Sequence, residues 1–410
     1  MLHIHFGAGR LGLGLVAPVL RRDGASLFIL NRAVSAGSAT GGTAVDPARR
    51  NALLQDHPHK TYVLKTPGGV GQVRERVTYD GFFTYQSSED IPRIVERILE
   101  QSPRAGEGVV ATASVLTAEH YEPVIQALNA LSEAKAGTAD RVGDLYLIAC
   151  ENTVSATEVL DHDRFAQVVS ETTRAHTRCV HALVDRVCVE LEEAEIDGVP
   201  TLVVMAEEYA ALKLKTGPES EGLEKLLEGT GATFSHHLEV EKDIKSWLLN
   251  GSHWLIALTA FQETEGNADL KLNAWLAEHP DHRLFAEEII SEMRDGVEAL
   301  LLAEPPYAAF VHDVDVTDYL DKAAAAILAR FEANEDTIAR ILARFRAPTP
   351  EAISTVEQFI GRFLSRIEGP ITAFERKYGT PPISTTHSLF NLFRLQASGM
   401  YVDSNWSEAS

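Results

Sequence analysis

Cysteine, basic side chains and long apolar runs are all scarce in this sequence of 410 residues. Three cysteines are too few for a disulfide framework and indicate a reducing compartment. The net charge of -22 argues against nucleic acid and anionic membrane as partners. No segment reaches the roughly 18 uninterrupted apolar residues of a transmembrane helix, and the first residues lack the basic and apolar regions of a signal peptide. We therefore expect a soluble cytoplasmic protein.

The chain starts with a strand-like run, Leu2 to Phe6, that leads into a glycine-rich turn and then a helix-like segment. In a G-x-G-x-x-G turn of this kind, the first glycine permits the bend and the second lets a pyrophosphate approach the backbone. The third glycine lets the helix pack closely on its strand. A second strand-like run, Ser26 to Leu30, follows at the expected spacing. We therefore predict that a dinucleotide binds to Gly7, Ala8, Gly9, Arg10, Leu11 and Gly12.

The second strand-like run ends in Asn31 and Arg32, where a site that prefers NAD usually has a carboxylate for the ribose hydroxyls. Asn31 can still bond a ribose, but it carries no charge to repel a 2′-phosphate. Arg32 can pair with that phosphate or stack on adenine, or it is a solvated loop arginine. The cofactor is thus NAD(P), with a preference for NADP.

Further strand-like and helix-like segments alternate through the first half of the chain. Val109 to Ala113 and Leu145 to Cys150 are predicted as buried strands, with a helix from Ala118 to about Leu131 between them. Because ligands lie beyond the carboxyl ends of parallel strands, we predict that Asn152 and the stretch Thr112, Ala113 and Ser114 face the cofactor. Thr61 to Tyr85 is predicted to form inserted antiparallel strands, and Leu202 to Met205 is predicted as a further strand.

From about Lys242 onward the apolar pattern follows a helical period. The predicted fold class is α/β: a Rossmann-type dinucleotide-binding domain with inserted antiparallel strands over residues 1–200, and a predominantly helical substrate and catalytic domain over residues 201–410. The length of 410 residues agrees with two cores rather than one. In the second domain Ile327–Phe331 recurs as Ile341–Phe345, a spacing of about four turns, so we interpret the pair as one face of a single helix.

Three polar residues of the helical half are predicted to share one face, since at roughly 100° per residue Lys245, Asn250 and His253 lie on the same side of a helix. Their neighbours indicate a helix that is buried on most sides: Leu248, Leu249, Leu255, Ile256 and Leu258. A buried lysine is unfavourable unless it is paired or deprotonated, and lowering its pKa from about 10.4 to about 7.5 corresponds to roughly 4 kcal/mol. Either Lys245 reaches solvent, or this face carries chemistry; the glycine-rich turn favours chemistry.

Several segments resemble motifs of the polyol-specific long-chain dehydrogenase family, which includes mannitol dehydrogenases and mannitol-1-phosphate 5-dehydrogenases. They are HFGAGRLGLG at His5–Gly14, IACEN at Ile148–Asn152, VDRV at Val184–Val187, LNGSH at Leu249–His253, and ILARF at Ile327–Phe331 followed by Asp336 and Arg340. The resemblance extends in patches to about residue 345. The last sixty or so residues do not match, so the resemblance is least informative about the particular substrate.

The resemblance implies metal-independent, reversible hydride transfer between a secondary alcohol and nicotinamide. Lys245 would act as general base and acid, and the amides of Asn152 and Asn250 would donate to the carbinol oxygen. His253 would bond a neighbouring substrate oxygen. Arg340 would contact a substrate phosphate or carboxylate, or it lies on a solvated helix face. Gly251 is unfavourable in a helix interior by about 1 kcal/mol, which close approach of nicotinamide or substrate would explain.

The implied substrate is a hexitol or a hexitol phosphate of the mannitol 1-phosphate type, and the protein is expected to be a monomer or homodimer. The alternatives are a free polyol, a sugar acid such as tagaturonate, and, from another class, an NAD(P)-binding sensor without turnover. The spacing of His176, Cys179, His181 and Cys188 matches no common zinc pattern. No metal site is predicted.

Overall fold

The computed structural model describes residues 1–34, 45–66, 74–115, 117–137, 141–151, 156–333, 335–343 and 356–397. The chain forms two compact units, Met1–Leu238 and Glu239–Ser410. The described strands all lie in the first unit: β1 (Leu2–Phe6), β2 (Ser26–Arg32), β3 (Thr61–Lys65), β4 (Arg74–Thr78), β5 (Gly81–Tyr85), β6 (Val109–Ala113), β7 (Leu145–Ala149), β8 (Thr177–Val180), β9 (Ala182–Asp185), β10 (Cys188–Ile196), β11 (Val199–Ala206), β12 (Ala211–Lys215) and β13 (Thr233–Ser235).

A six-stranded sheet in the order β5-β2-β1-β6-β7-β8 is parallel at each of its pairings. Its central strands are mostly apolar because a parallel sheet is covered by helices on both faces; the polar exceptions in β1 and β6 are His3, His5 and Thr112. All residues of β1, β6 and β7 are buried. The strands predicted at these positions are confirmed, and so is the Rossmann-type class of the first unit.

Two smaller sheets complete the first unit. One has the order β10-β11-β3-β4 and the other the order β13-β12-β9. The antiparallel pairing of β3 with β4 confirms the inserted strands. The prediction for Thr61 to Tyr85 was wrong in its last part, because β5 pairs in parallel with β2. The division between the units falls after Leu238 rather than after residue 200, since β11 pairs with β3 and β12 pairs with β9.

The helices alternate with the strands in the first unit and fill the second. In the first unit, a π-helical turn at Gly12–Val16 precedes α1 (Ala17–Val19), and α2 (Pro47–Asp56), α3 (Ile91–Gln101), α4 (Glu122–Gly137), α5 (Ala156–Asp161), α6 (Glu171–His176) and α7 (Leu223–Leu226) follow. Then come α8 (Leu238–Ile244), a second π-helical turn at Lys245–Gly251, α9 (Ser252–Glu263), α10 (Leu272–Glu278), α11 (Pro280–Ala303), α12 (Ala308–Asp313), α13 (Val316–Ala333), α14 (Ile338–Ala343), α15 (Val356–Tyr378) and α16 (Ile383–Ala397). Short 3₁₀ turns lie at Ser88–Asp90, Pro103–Glu107, Ala118–Tyr121, Asp163–Phe165, Pro218–Ser220 and Pro305–Tyr307.

The second unit is built around α9, in which every residue from Ser252 to Phe261 is buried. Helices α11, α14 and α16 pack against it, and Trp254 and Trp275 are the largest side chains in this core. Of the predictions for this unit, the single helix over both copies of the repeat was wrong, because α13 ends at Ala333 and α14 begins at Ile338. Among the residues that the structure describes, none of the helices has the length and apolar content that a bilayer crossing requires.

Candidate functional site

The carboxyl ends of four parallel strands meet at one edge of the large sheet. Phe6 is in register with Leu30 of β2 and with Ala113 of β6, and Ala113 is in register with Ala149 of β7. The loop Gly7–Gly12 follows β1 at this edge, where ligands of open parallel sheets bind. The sheet therefore places the glycine-rich turn, Asn31, Ser114 and Cys150 at a common edge.

The three glycines of the turn have three different surroundings. Gly7 has φ +104°, in the left-handed region that side chains disfavour. A Cβ on Gly12 would lie 2.2 Å from His5 Nε2 and 2.4 Å from the Gly7 carbonyl oxygen. A Cβ on Gly9 would meet no described atom within 4 Å. The first and third glycines are thus required by the fold, whereas the space at Gly9 suits a ligand that approaches the backbone.

Asn31 is buried and engaged within the protein. Its Oδ1 accepts a hydrogen bond from Ala8 N at 3.0 Å, and its Nδ2 donates to Asn51 Oδ1 at 2.7 Å. Asn51 in turn donates to the carbonyl oxygen of Arg32 at 3.0 Å. Asn31 therefore holds the turn against β2 and α2 and is not presented to a ribose, which corrects the expectation from the sequence. Arg32 is exposed.

The side chains of Arg10 and Leu11 are engaged within the protein. The Arg10 guanidinium donates from Nη1 to the carbonyl oxygen of Val189 at 2.8 Å. Leu11 is half-buried and packs against the apolar cluster on one face of the sheet. The first helical turn after the glycines thus offers N–H groups and the positive end of a helix dipole, which favour an anion.

The predictions for the ends of β6 and β7 need one correction. Thr112 is fully buried and its Oγ1 lies 2.7 Å from both His3 Nε2 and His5 Nδ1, so its side chain does not face a ligand. Ala113 is fully buried as well. Ser114, the last residue of the stretch expected to face the cofactor, follows at the strand end, where its Oγ lies 3.3 Å from His5 Nε2. Asn152 lies outside the described residues; before it, the Glu151 carboxylate accepts a hydrogen bond from Val115 N.

The segment that carries Lys245 and Asn250 is π-helical and not α-helical. It extends over Lys245–Gly251, between α8 and α9. A π turn closes its hydrogen bonds between residues five apart, and such turns occur frequently at functional sites. Because Lys245 and Asn250 are themselves five apart, this turn brings them closer to a common line along the helix than the predicted α-helix would.

The three side chains of this segment differ in exposure. Lys245 and Asn250 are half-buried, whereas the sequence analysis placed the lysine in a helix buried on most sides. His253 is 6% exposed, and its ring stacks on Phe331 with a centroid distance of 4.4 Å and an interplanar angle of 16°. This contact joins the LNGSH and ILARF segments within the second unit and fixes the plane of the imidazole.

Gly251 and Arg340 have structural explanations that the sequence did not supply. A Cβ on Gly251 would lie 3.1 Å from the carbonyl oxygen of Arg366 and 3.2 Å from Met293 Cε. Close helix packing therefore accounts for this glycine without a ligand. The Arg340 guanidinium lies 3.3 Å from the Asp336 carboxylate, whose side chain is 1% exposed. Its charge therefore compensates a buried carboxylate.

One ionisable group next to the π turn is shifted by its surroundings. Burial raises the pKa of the Asp243 carboxyl, and the nearby Glu239 adds to this effect, while a hydrogen bond from the Tyr307 hydroxyl at 3.4 Å opposes it. Trp247, inside the turn, contacts the same tyrosine edge to face at 5.9 Å. These contacts anchor the N-terminal part of the turn to the 3₁₀ segment that follows α11.

Sequence reasoning missed three polar residues that support the glycine-rich turn from below: His3, His5 and Asn51. A signal for two of them was present, because His3 and His5 alternate along a strand that is otherwise apolar, and alternate residues share one face of a strand. Burial lowers the pKa of His5 from 6.5 to about 4 and that of His3 well below its ordinary value. Both rings are therefore neutral near pH 7.

The two units define a class of fold: a parallel dinucleotide-binding sheet with a glycine-rich turn, followed by an all-helical unit. Solved structures share it at low sequence identity. Mannitol 2-dehydrogenase from Pseudomonas fluorescens, in a ternary complex with NAD and D-mannitol, is 15% identical with a TM-score of 0.55, over 96% of this chain and 94% of that one. A D-sorbitol dehydrogenase in substrate-free form is 13% identical with a TM-score of 0.54, over 90% of this chain and 80% of that one. The predicted fold class is thereby confirmed.

At the level of sequence, a mannitol-1-phosphate 5-dehydrogenase from Aureobasidium melanogenum is 24% identical over 191 residues. The matched segment covers 46% of this chain and 42% of that protein, so the chain spans about two fifths of the length of this curated relative. No protein-family model matches the chain. The resemblance to polyol dehydrogenases that the motifs indicated is confirmed by this similarity and by the shared fold.

Proposed function

We propose that this protein is a metal-independent, NAD(P)-dependent oxidoreductase that interconverts a hexitol or hexitol phosphate and the corresponding keto-sugar. The observation that carries the proposal is the π-helical turn with Lys245 at its first position and Asn250 five residues later. The glycine-rich turn at the edge of a parallel sheet supports the proposal that a dinucleotide is the cofactor. The similarity to a mannitol-1-phosphate 5-dehydrogenase, and the fold shared with mannitol and sorbitol dehydrogenases, support the substrate class.

The proposed roles follow from the chemistry of each side chain. When bound, the nicotinamide supplies the two-electron chemistry of hydride transfer. The N–H groups from Gly9 onward bind the pyrophosphate. Uncharged Lys245 accepts the proton of the reacting hydroxyl during oxidation, and its ammonium returns a proton during reduction. The Asn250 amide, together with that of Asn152, donates to the carbinol oxygen as negative charge develops there.

His253 is proposed to orient substrate rather than to exchange a proton with it. Its imidazole is 6% exposed and held flat on Phe331, so few rotamers remain for it. A fixed ring can bond a hydroxyl next to the reacting carbon with little loss of side-chain entropy on binding. This role belongs to binding and positioning, while Lys245 carries the acid–base step.

For the cofactor, we propose a preference for NADP(H). Between Asp23 and Asp46 the sequence has no carboxylate side chain, so nothing in this stretch repels a 2′-phosphate. Asp46 itself caps α2 by accepting hydrogen bonds from Ala48 N and Arg49 N, both at 2.9 Å. Exposed Arg32 at the end of β2 is suited to the phosphate. The ratio of kcat/KM values for NADP and NAD tests this, and Arg32→Gln should lower that ratio; a wild-type ratio well below one would contradict it.

Whether the substrate carries a phosphate depends on the second unit. Arg340 is paired with Asp336, which weakens the argument for a phosphate contact at that position. We propose to compare mannitol, mannitol 1-phosphate, fructose 6-phosphate and hexuronates with each cofactor. Turnover of hexuronates alone would point to the sugar-acid alternative. Tight cofactor binding without turnover on any of them would point to a sensor.

The decisive test of the proposed chemistry is Lys245→Met, which keeps the length of the side chain and removes the amine. We expect kcat to fall by at least about 10³-fold, because general acid–base groups contribute about 10²–10⁴-fold and this one has no replacement. Binding of NADPH, followed by fluorescence titration, should remain within about twofold of wild type.

The matched control is Lys242→Met, one turn earlier, where the lysine pairs with Glu239 on the surface at 3.4 Å. That variant should retain activity. If Lys245→Met turns over at a rate near that of wild type, Lys245 does not take part in the reaction. If both variants lose activity to the same extent, the loss comes from removing a positive charge from this helix, and the proposed acid–base role of Lys245 fails.

A further inference from the structure

Two histidines and a threonine form a buried chain of hydrogen bonds beneath the glycine-rich turn. His3 and His5 are 1% and 0% exposed, and Thr112 on the neighbouring strand is 0% exposed. The Thr112 hydroxyl lies 2.7 Å from His3 Nε2 on one side and 2.7 Å from His5 Nδ1 on the other. The remaining ring nitrogen, His5 Nε2, lies 2.9 Å from the carbonyl oxygen of Gly7.

The chemistry of these groups fixes the direction of every hydrogen bond in the chain. The Gly7 carbonyl can only accept, so His5 Nε2 carries the proton, and Nδ1 of the neutral ring must accept. The Thr112 hydroxyl therefore donates its one proton to His5 Nδ1 and accepts from His3 Nε2–H. His3 Nδ1 is then an acceptor at the end of the chain, and no described group donates to it. The order is His3 to Thr112 to His5 to Gly7.

The His5 ring contacts both ends of the turn. It holds the Gly7 carbonyl where the backbone adopts φ +104°. It also faces Gly12, where an added Cβ would lie 2.2 Å from Nε2. Ser114 Oγ lies 3.3 Å from the same nitrogen. With the Gly7 carbonyl turned into this network, its partial negative charge points away from any anion at the turn, and Gly7 N remains bonded to Leu30 O at 2.9 Å.

We propose that His3, Thr112 and His5 are positioning residues that pre-organise the turn Gly7–Gly12 for the pyrophosphate of the dinucleotide. This inference rests on the cofactor binding proposed above. A turn already held in its binding conformation loses less entropy when the ligand binds. Without the chain, the Gly7 carbonyl is free to rotate toward the anion, and affinity for the cofactor falls. The chain acts on cofactor binding and leaves the proton transfer at Lys245 untouched.

Thr112→Val tests this inference, because valine has the shape of threonine and can neither donate to His5 nor accept from His3. We expect the Kd for NADPH to rise at least about tenfold and the cofactor KM to rise with it. The kcat at saturating cofactor should change by less than about threefold. Thr112→Ser restores the hydroxyl and should return the Kd to within about threefold of wild type.

The matched control is Thr201→Val. His57 Nε2 lies 3.1 Å from Thr201 Oγ1, and both residues are buried in the first unit, but neither contacts the turn. Like Thr112→Val, this variant removes a buried hydroxyl that makes two hydrogen bonds, here with His57 Nε2 and with the Val199 carbonyl oxygen, so it measures the general cost of such a loss. Its Kd for NADPH should equal that of wild type. A rise in Kd equal to that of Thr112→Val would overturn the inference.

A measurement on the wild-type protein keeps the test valid even if Thr112→Val does not fold. The ring ¹⁵N chemical shifts of His5 should show the neutral Nε2–H tautomer at pH 7; a cationic ring or the Nδ1–H tautomer would overturn the chain. The experiment distinguishes failure of the proposed function from failure of this inference. If wild type binds neither NADPH nor NADH, the proposed function fails; if wild type binds them and Thr112→Val binds them equally well, the inference alone fails.

Discussion

At the scale of single residues, the first unit contains buried polar groups whose protonation state is set by their surroundings. His3 and His5 lie inside the parallel sheet, where desolvation disfavours the charged imidazole. Carbonyl and hydroxyl groups compensate for most of the lost hydration, since His5 bonds at both ring nitrogens. A neutral ring that is bonded at both nitrogens, as in His5, can remain in a core, whereas a charged ring there would be unfavourable by several kcal/mol.

This arrangement predicts a specific loss of stability on acidification. The pKa of His5 is lowered from 6.5 to about 4 in the folded protein, so between these values the unfolded chain binds a proton that the folded chain does not. The free energy of unfolding therefore falls as the pH decreases from about 6.5 to about 4. The stabilisation is complete above 6.5, and His5 alone accounts for about 3 kcal/mol of the loss.

Urea unfolding of wild type and His5→Gln at several pH values between 7 and 4.5 measures this effect. Carboxylates contribute to both proteins alike, so the difference between the two curves isolates His5. We expect wild type to lose more stability than the variant on acidification. Parallel curves over this range would show that His5 is not held neutral in the folded state.

Also at this scale, the sequence predicts which residues lie near the site more accurately than it predicts the contacts that each side chain makes. Asn31 was expected at the cofactor, and it lies at the right edge of the sheet, but its amide is used by Ala8 N and Asn51. Thr112 is likewise at the right strand and faces the interior. A motif specifies where a residue lies along the chain. The direction of its side chain depends on the neighbouring strand and helix, and a linear pattern does not specify these neighbours.

At the scale of elements, the strands of the large sheet could be predicted because their apolar runs and the glycine turn are local signals. The second π-helical turn could not be predicted from the periodicity. Seven residues are too few to distinguish an α-helical from a π-helical period, and packing of the turn against α11 and α15 involves residues far along the chain. The break between α13 and α14 was missed for the same reason: both copies of the repeat have helical periodicity.

The π turn itself makes a prediction. A π turn contains one more residue per hydrogen-bonded ring than an α turn, so deletion of Ser246 should allow α8 to continue into α9 as one α-helix. The spacing from lysine to asparagine would then be four residues. We expect turnover to fall by at least about 10²-fold, since small displacements of catalytic groups have effects of this size. Circular dichroism and cofactor binding should be retained.

Ser246→Ala is the control for this deletion, because it removes the same side chain and keeps the spacing. It should have nearly wild-type activity. The two variants are compared by kcat and by NADPH titration. Activity of the deletion variant within a few-fold of wild type would show that the five-residue spacing of Lys245 and Asn250 is not needed. The π-helical turn would then no longer support the proposed function.

At the scale of the whole molecule, the two units have separate apolar cores. The core of the second unit includes Trp254, Trp275 and Phe310, and the clusters of the first unit lie around its large sheet and the inserted strands. Domains with their own cores commonly unfold as separate cooperative units. The cofactor is proposed to bind the first unit, so NADPH should raise the stability of that unit alone.

Calorimetry with one variant tests this division. In the second unit, a Cβ on Gly296 of α11 would lie 2.4 Å from the carbonyl oxygen of Pro370 in α15. Gly296→Ala should therefore overpack the contact by about 1–3 kcal/mol, which lowers the midpoint of its unit by about 2–10 °C. NADPH should raise a different transition, by the mass action of a ligand that binds only the folded state.

Gly137→Ala is the control, since a Cβ at that position, at the end of α4 in the first unit, meets no described atom within 4 Å; the midpoint of the second unit should remain unchanged. We expect Gly296→Ala and NADPH to act on separate transitions and their effects to be additive in the presence of both. A single transition that both of them shift would show that the chain unfolds as one unit. The Lys245 and Thr112 variants would then have to be compared by binding and turnover alone, because a melting temperature would no longer report on the stability of one unit.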